Sequence, residues 1–238
     1  MGNSTSSAFR LPSFAGETPL PLGVHMDGLI VDGELDSDEW DAFLGQSWFA
    51  GRVWRFDYLR HELTLLGPEE ASPDLVDHAC PLGFRTGADG QRAFLQFPRI
   101  SAEIDGERLD FLFDTGACAV LTPQGLNALG GATGPRPGTS FITHTVFRRW
   151  RARHPDWPVI DHADATANAP MILVPVVRVA GHEVGPVWFT WRPDNEFYEW
   201  MSQMVDKRID GALGGSLFKY FSVTVDYPRA MAYFERPS

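Results

Sequence analysis

The run Phe111-Leu112-Phe113-Asp114-Thr115-Gly116-Ala117 decides how this chain reads. Leu109, Phe111 and Phe113 fall on every second position, the period of a strand with one buried face. Just upstream, Asp105-Gly106 is the dipeptide of a type I′ hairpin turn. Leu95 to Ile104, β-rich despite Pro98, and the run into Phe113 therefore read as the two arms of a hairpin. The second arm leads straight into Asp114. Gly116 supplies the backbone freedom for a tight loop beneath that carboxylate. An Asp after a strand commonly caps a turn and nothing more. What raises this one above that role is a distant answering segment, Asp210-Gly211-Ala212-Leu213-Gly214-Gly215-Ser216-Leu217-Phe218, followed by Val223-Thr224-Val225-Asp226-Tyr227.

Outward from these two runs the chain alternates short elements and turns. Gly130 to Gly138 is a Gly/Pro-rich loop. Ile142, Val146, Phe147 and Trp150 then recur at helical spacing until Pro155. Met171 to Val179 and Val184 to Trp191 read as two strands around Gly181. Phe197, Trp200, Met201, Met204 and Val205 form an amphipathic helical pattern, with Asp194 as its N-cap. Phe221 to Val225, a turn at Asp226-Tyr227-Pro228-Arg229 and a strand through Phe234 close the chain. Residues 69 to 92, rich in Pro, Gly, Asp and Ser, read as a connector.

The ending occurs twice. Laid on Leu213-Gly214-Gly215-Ser216-Leu217-Phe218, the earlier Leu44-Gly45-Gln46-Ser47-Trp48-Phe49 continues without gaps. Asp57-Tyr58 falls on Asp226-Tyr227, Arg60 on Arg229 and Asp41 on Asp210. Chance would give about one or two identities in such a window. The sequence therefore holds the close of one structural unit two times over.

Together, the strand into Asp114-Thr115-Gly116-Ala117, its preceding hairpin, and the Asp210 to Tyr227 close resemble the retropepsin-like aspartyl proteases of bacteria and retroviruses. The resemblance spans roughly Phe94 to Glu235 and is poor between Ala119 and Ile172, where that family carries its flap. It implies a mainly β fold: a retropepsin-like lobe, a closed β-barrel-like sheet with short helices, preceded by a partial second lobe. It implies residues 1–70 as the C-terminal half of a lobe, 71–92 as a linker and 93–238 as a complete lobe. It makes Asp114 the catalytic carboxylate, with Thr115, Gly116 and Ala117 completing the active turn. Thr115 would hydrogen-bond across a pseudo-two-fold axis, and Leu213 and Gly214 would support the turn from a ψ-shaped crossing. The substrate would be an extended peptide or protein, with no cofactor and no metal.

Peptide hydrolysis of this kind needs two facing carboxylates that share one proton, because like charges that close do not both ionise. The sequence holds one Asp-Thr-Gly turn. Asp27-Gly28 and Asp32-Gly33 read as hairpin turns rather than as its counterpart. The second acid would come from a homodimer partner or from a region preceding Met1. A chain lacking that acid would be a catalytically inactive peptide-binding or structural module.

Other functions are disfavoured. A net charge of -11 opposes a nucleic-acid partner. The basic run Arg148-Arg149-Trp150-Arg151-Ala152-Arg153 reads as a solvated helix face. No stretch is long and apolar enough to span a bilayer. No signal peptide is visible, which makes the cytoplasm the default location; Gly2 with Ser6 fits a myristoylation pattern and Asn3-Ser4-Thr5 a glycosylation sequon, both loose. Two cysteines, Cys80 and Cys118, are too few for a disulfide scaffold, though one bridge between them is open. Gly214-Gly215-Ser216 lacks the second glycine of a nucleophile elbow, Phe218 standing in its place. His154, Asp156, Asp161, His162 and Asp164 crowd one stretch without metal-ligand spacing.

Overall fold

A computed structural model describes residues 45–70, 77–93, 96–130 and 136–236. The glycosylation and myristoylation patterns, Asp27-Gly28, Asp32-Gly33, and Asp41 and Leu44 of the repeat lie outside the described residues. The fold is mainly β, with two large sheets. Helix α1 (Gln46–Phe49) leads into strands β1 (Val53–Asp57) and β2 (Glu62–Leu66). Strand β3 (Ala79–Pro81) follows, drawn from the stretch that reads as a connector. The main lobe then runs β4 (Arg99–Ile104), β5 (Glu107–Phe113), α2 (Pro123–Ala128), β6 (Ser140–Thr143) and α3 (His144–Arg153). It continues through β7 (Val159–Asp164), β8 (Ala169–Val174), β9 (Val177–Val179), β10 (His182–Val184) and β11 (Val187–Arg192). It ends with β12 (Gly211–Leu213), α4 (Gly215–Phe218), β13 (Ser222–Asp226) and β14 (Met231–Glu235).

The nine-stranded sheet has the order β10-β9-β4-β5-β12-β6-β11-β8-β7. It is open, not the closed barrel-like sheet that the family resemblance implies. Its two edges do not meet: β10 is only three residues long, and β7 shifts register against β8 between Ile160 and Asp164. Asp105 and Gly106 both have positive φ, as a type I′ turn requires, and β4 and β5 pair antiparallel across them. Ala180-Gly181 repeats the device between β9 and β10.

The five-stranded sheet, β2-β1-β13-β14-β3, makes the repeat a structural fact. Helix α1 corresponds to α4, β1 to β13 and β2 to β14, each with the same residue offset at both ends. The two hairpins meet antiparallel at β1 and β13, Val53 opposite Asp226, Arg55 opposite Thr224 and Asp57 opposite Ser222. This register is that of a two-fold axis. Tyr58 N–H donates to the Phe221 carbonyl at 3.3 Å, and its counterpart Tyr227 N–H to the Arg52 carbonyl at 3.1 Å. Both turns are built alike: Asp57 accepts from the Leu59 and Arg60 amides, Asp226 from the Arg229 amide and guanidinium.

One apolar cluster joins the two sheets. Trp48 and Trp54 from the first unit are buried with Phe111, Phe113, Phe189, Phe218, Val223 and Phe234. Two sequence expectations need correction. The pattern from Phe197 to Val205 is not an α-helix but a π-helical turn, Glu196–Trp200, followed by a 3₁₀ turn, Met201–Met204. Phe197 and Val205 face a small cluster with Leu112, Ile209 and Ala212, while Trp200 stays 60% exposed. Nor does Asp194 cap that segment. Its carboxylate takes the Thr145 amide at 2.9 Å and hydroxyl at 2.6 Å, and so caps α3 from another part of the chain. The basic face of α3 is answered locally: Arg149 and Arg153 both reach Glu107 at 2.6 Å.

Candidate active site

Strand β5 delivers Asp114 because its alternating residues are pinned on one side to β4 and on the other to β12. The short β12 runs parallel to β5, Gly211 opposite Phe111 and Leu213 opposite Phe113, and antiparallel to β6 on its far side. Asp114 N–H donates to the Leu213 carbonyl at 2.9 Å, so the crossing segment holds the first residue of the turn. Glycine at 214 is demanded by proximity: a Cβ there would stand 2.2 Å from the Thr139 carbonyl oxygen and 2.6 Å from the Ala117 Cβ. Leu213 and Gly214 thus lie against the turn, the position that the family resemblance implies for them.

Within the turn, Asp114 Oδ1 accepts the Gly116 amide at 3.0 Å, and the Asp114 carbonyl accepts the Ala117 amide at 3.3 Å. Thr115 and Gly116 are exposed, Asp114 is half-buried and Ala117 is buried. Burial pushes the Asp114 carboxyl above the ordinary aspartate range, and the Gly116 and Ala117 amides pull it back in part. A carboxyl so placed protonates more readily than a free one.

Sequence reading missed the brace behind this turn. Thr139 N–H donates to the Ala117 carbonyl at 2.9 Å, and the Thr139 and Thr190 hydroxyls meet at 2.8 Å. Gly214 N–H donates to Ser140 Oγ at 3.1 Å, Ser140 and Ser216 hydroxyls meet at 2.8 Å, and Ser216 donates to the Trp188 carbonyl at 2.8 Å. These hydroxyls are buried and each has a partner, as buried polar groups must. Ser216 is thereby a structural hydroxyl, not a nucleophile. Its place beside Gly214-Gly215 was the one signal available.

In front of the turn lies a cavity of about 350 Å³ lined by Thr115 together with Phe56, Tyr58, His61, Glu62 and Leu63. Asp57 also lines it, but its carboxylate is engaged by its own turn. Tyr58 packs 5.6 Å from Phe218, and burial plus the Asp114 charge drive its phenol well above the usual range. The repeat therefore brings the first hairpin to the mouth of the candidate site.

The remaining candidates disperse. Cys80 and Cys118 are both free, and burial raises each thiol, Cys80 to about 12. Cys118 bridges to Gly138 beside the turn, where a raised thiol is a poor nucleophile. His154 stacks on Trp157 and pairs with Asp105. Asp161 faces Arg151, His162 meets Asn168, and Asp164 is buried against Arg192. Among the described residues no group of three metal-ligating side chains converges, and no helix is long and apolar enough to cross a membrane. Asp210 sits at the far end of β12, where its amide donates to the Asp110 carbonyl at 2.7 Å.

No protein-family model matches the chain, and no curated protein does. Among solved structures, a retropepsin-like aspartic protease from Rickettsia conorii matches at 13% identity with a TM-score of 0.35, covering 66% of this chain and 88% of that one.

Proposed function

We propose that this chain is an aspartic-type endopeptidase in which Asp114 supplies one carboxylate of the catalytic dyad and an extended peptide is the substrate. The observation that carries the reading is the held, half-buried Asp114 at the end of β5, pinned to Leu213 across the Gly214 crossing. In the dyad one carboxyl stays protonated while the other, ionised, takes a proton from water, and the acid partner polarises the scissile carbonyl. The titration then belongs to the pair. Thr115 is exposed at the cavity, and in this reading it contacts the second turn. Residues 1–70 carry the close of a second lobe, 71–92 join it, and 93–238 form the complete lobe.

The second carboxylate comes from a partner lobe, because the sequence has one Asp-Thr-Gly turn. That same observation favours a second reading, a catalytically inactive module that binds peptides or serves only as structure. Cleavage of a denatured protein at acidic pH by wild type and by Asp114→Asn separates the two. The endopeptidase reading expects activity in the wild type and a loss of several orders of magnitude in the variant. Equal rates in both, or none in either as a full-length dimer, would remove it.

A further inference from the structure

The first hairpin occupies a seat that another hairpin in the same molecule is built to fill. α1-β1-β2 and α4-β13-β14 correspond residue for residue, and β1 lies on β13 in a two-fold register. A second copy's β13, set where β1 now lies, would place Val223 opposite Val225 and Thr224 opposite Thr224, with Ser222 opposite Asp226 as Ser222 now faces Asp57. No like charges oppose one another in that pairing.

The two hairpins are not equally anchored. Ala232 and Phe234 of β14 are fully buried, and β14 is flanked by β3. Their counterparts on β2, Leu63 and Leu65, are 40% and 41% exposed, and β2 is a sheet edge. Thr224 Oγ1, opposite Arg55, is buried with no hydrogen-bond partner, and the Arg55 Nε is likewise unsatisfied. A threonine facing Thr224 would satisfy that hydroxyl. Against this, Trp48 and Trp54 fill space where the other unit uses Leu217 and Val223, which favours the closed chain.

We propose that β1-β2 is a cis-acting occupant of the two-fold seat on β13, and that the β13-β14 hairpin of a second copy competes for the same seat. The chain then exchanges between a self-capped monomer and a dimer paired β13 to β13, and the dimer is the form that brings two Asp114 turns to one axis. The last clause rests on the peptidase reading; the exchange itself does not.

The test uses the full chain carrying Thr224→Cys, oxidised at high protein concentration, with the linked peptide identified by mass spectrometry. The expected result is a covalent dimer joined through position 224 in both copies. Adding Trp54→Ala, or Trp54→Val if the alanine variant fails to fold, loosens the first hairpin and should raise the linked fraction several-fold. Pairing Arg55→Cys with Thr224→Cys locks β1 to β13 and should leave only monomer. No intermolecular link in the Trp54 variants, with their near-ultraviolet circular dichroism retained, overturns the proposal. A linked dimer that cleaves nothing would instead overturn the peptidase reading and leave this one standing.

Discussion

At Gly214 a single methyl group probes the crossing that holds Asp114. The backbone there is extended (φ -138°, ψ -157°), so alanine is sterically excluded by its neighbours and not by its own torsions. Gly214→Ala should cost about 1–3 kcal/mol, the usual range for overpacking a filled site, read as a lowered denaturant midpoint. Asp114 gives a prediction with a sign. Its folded-state value lies above the ordinary one, so ionising it opposes folding: the contribution is fully favourable below the unfolded value and is lost as pH rises through the folded one. Asp114→Asn should therefore be more stable than wild type at neutral pH, with the gap closing as the solution is acidified. Melting temperatures of the two proteins across that range measure it, and a gap that widens in acid would contradict the burial assigned to this carboxyl. The turn itself was legible in the sequence because a strand period, a glycine and a tight loop are local signals. Thr139, Ser140 and Ser216 were not, because their partners lie far along the chain and hydroxyl pairing leaves no periodic mark.

The hairpins were the most legible elements. Asp105-Gly106 and Asp226 to Arg229 encode their turns in adjacent residues, and the flanking strands follow. Where an element depends on distant partners, its sequence misleads. The run from Phe197 to Val205 has a helical apolar stripe, yet only Phe197 and Val205 are fully enclosed in the core, Met201 packs against it half-buried, and the backbone winds as π and then 3₁₀ turns. Asp194 was read as the cap of its own segment, but it caps α3 instead. Asp194→Ala should cost about 1 kcal/mol, the typical worth of a lost cap, seen in the midpoint of urea unfolding; no change would show that Thr145 finds an equal partner in water. The duplicated turns allow a matched comparison. Asp226 is fully buried and holds Arg229 at 2.8 Å, whereas Asp57 is 7% exposed and holds Arg60 at 3.5 Å. Replacing Asp226 by Ala removes the part-buried hydrogen bond from the Arg229 amide, at a cost of about 1 kcal/mol. The same change at Asp57 should cost less, and equal losses would deny the asymmetry between the two hairpins.

Across the five-stranded sheet, burial falls from β13 through β1 to the β2 edge. All five residues of β13 are buried, β1 keeps three of its five buried, and β2 is exposed along four. Local opening free energies follow buried contacts and protected hydrogen bonds. Of these three strands, the amides of β2 should therefore exchange with solvent fastest, those of β1 at an intermediate rate and those of β13 only on global unfolding. Trp48 and Trp54 set the height of the middle step, since burying two such rings commits β1 to the shared core. Native-state hydrogen exchange read by mass spectrometry orders the three strands directly. A graded order means that the first hairpin can leave its seat while the lobe around Asp114 stays folded, the motion a second copy would need in order to take its place. If β2 and β1 exchange only with β13, the sheet opens as one body, and the two-fold seat is closed to any partner for as long as the lobe remains folded.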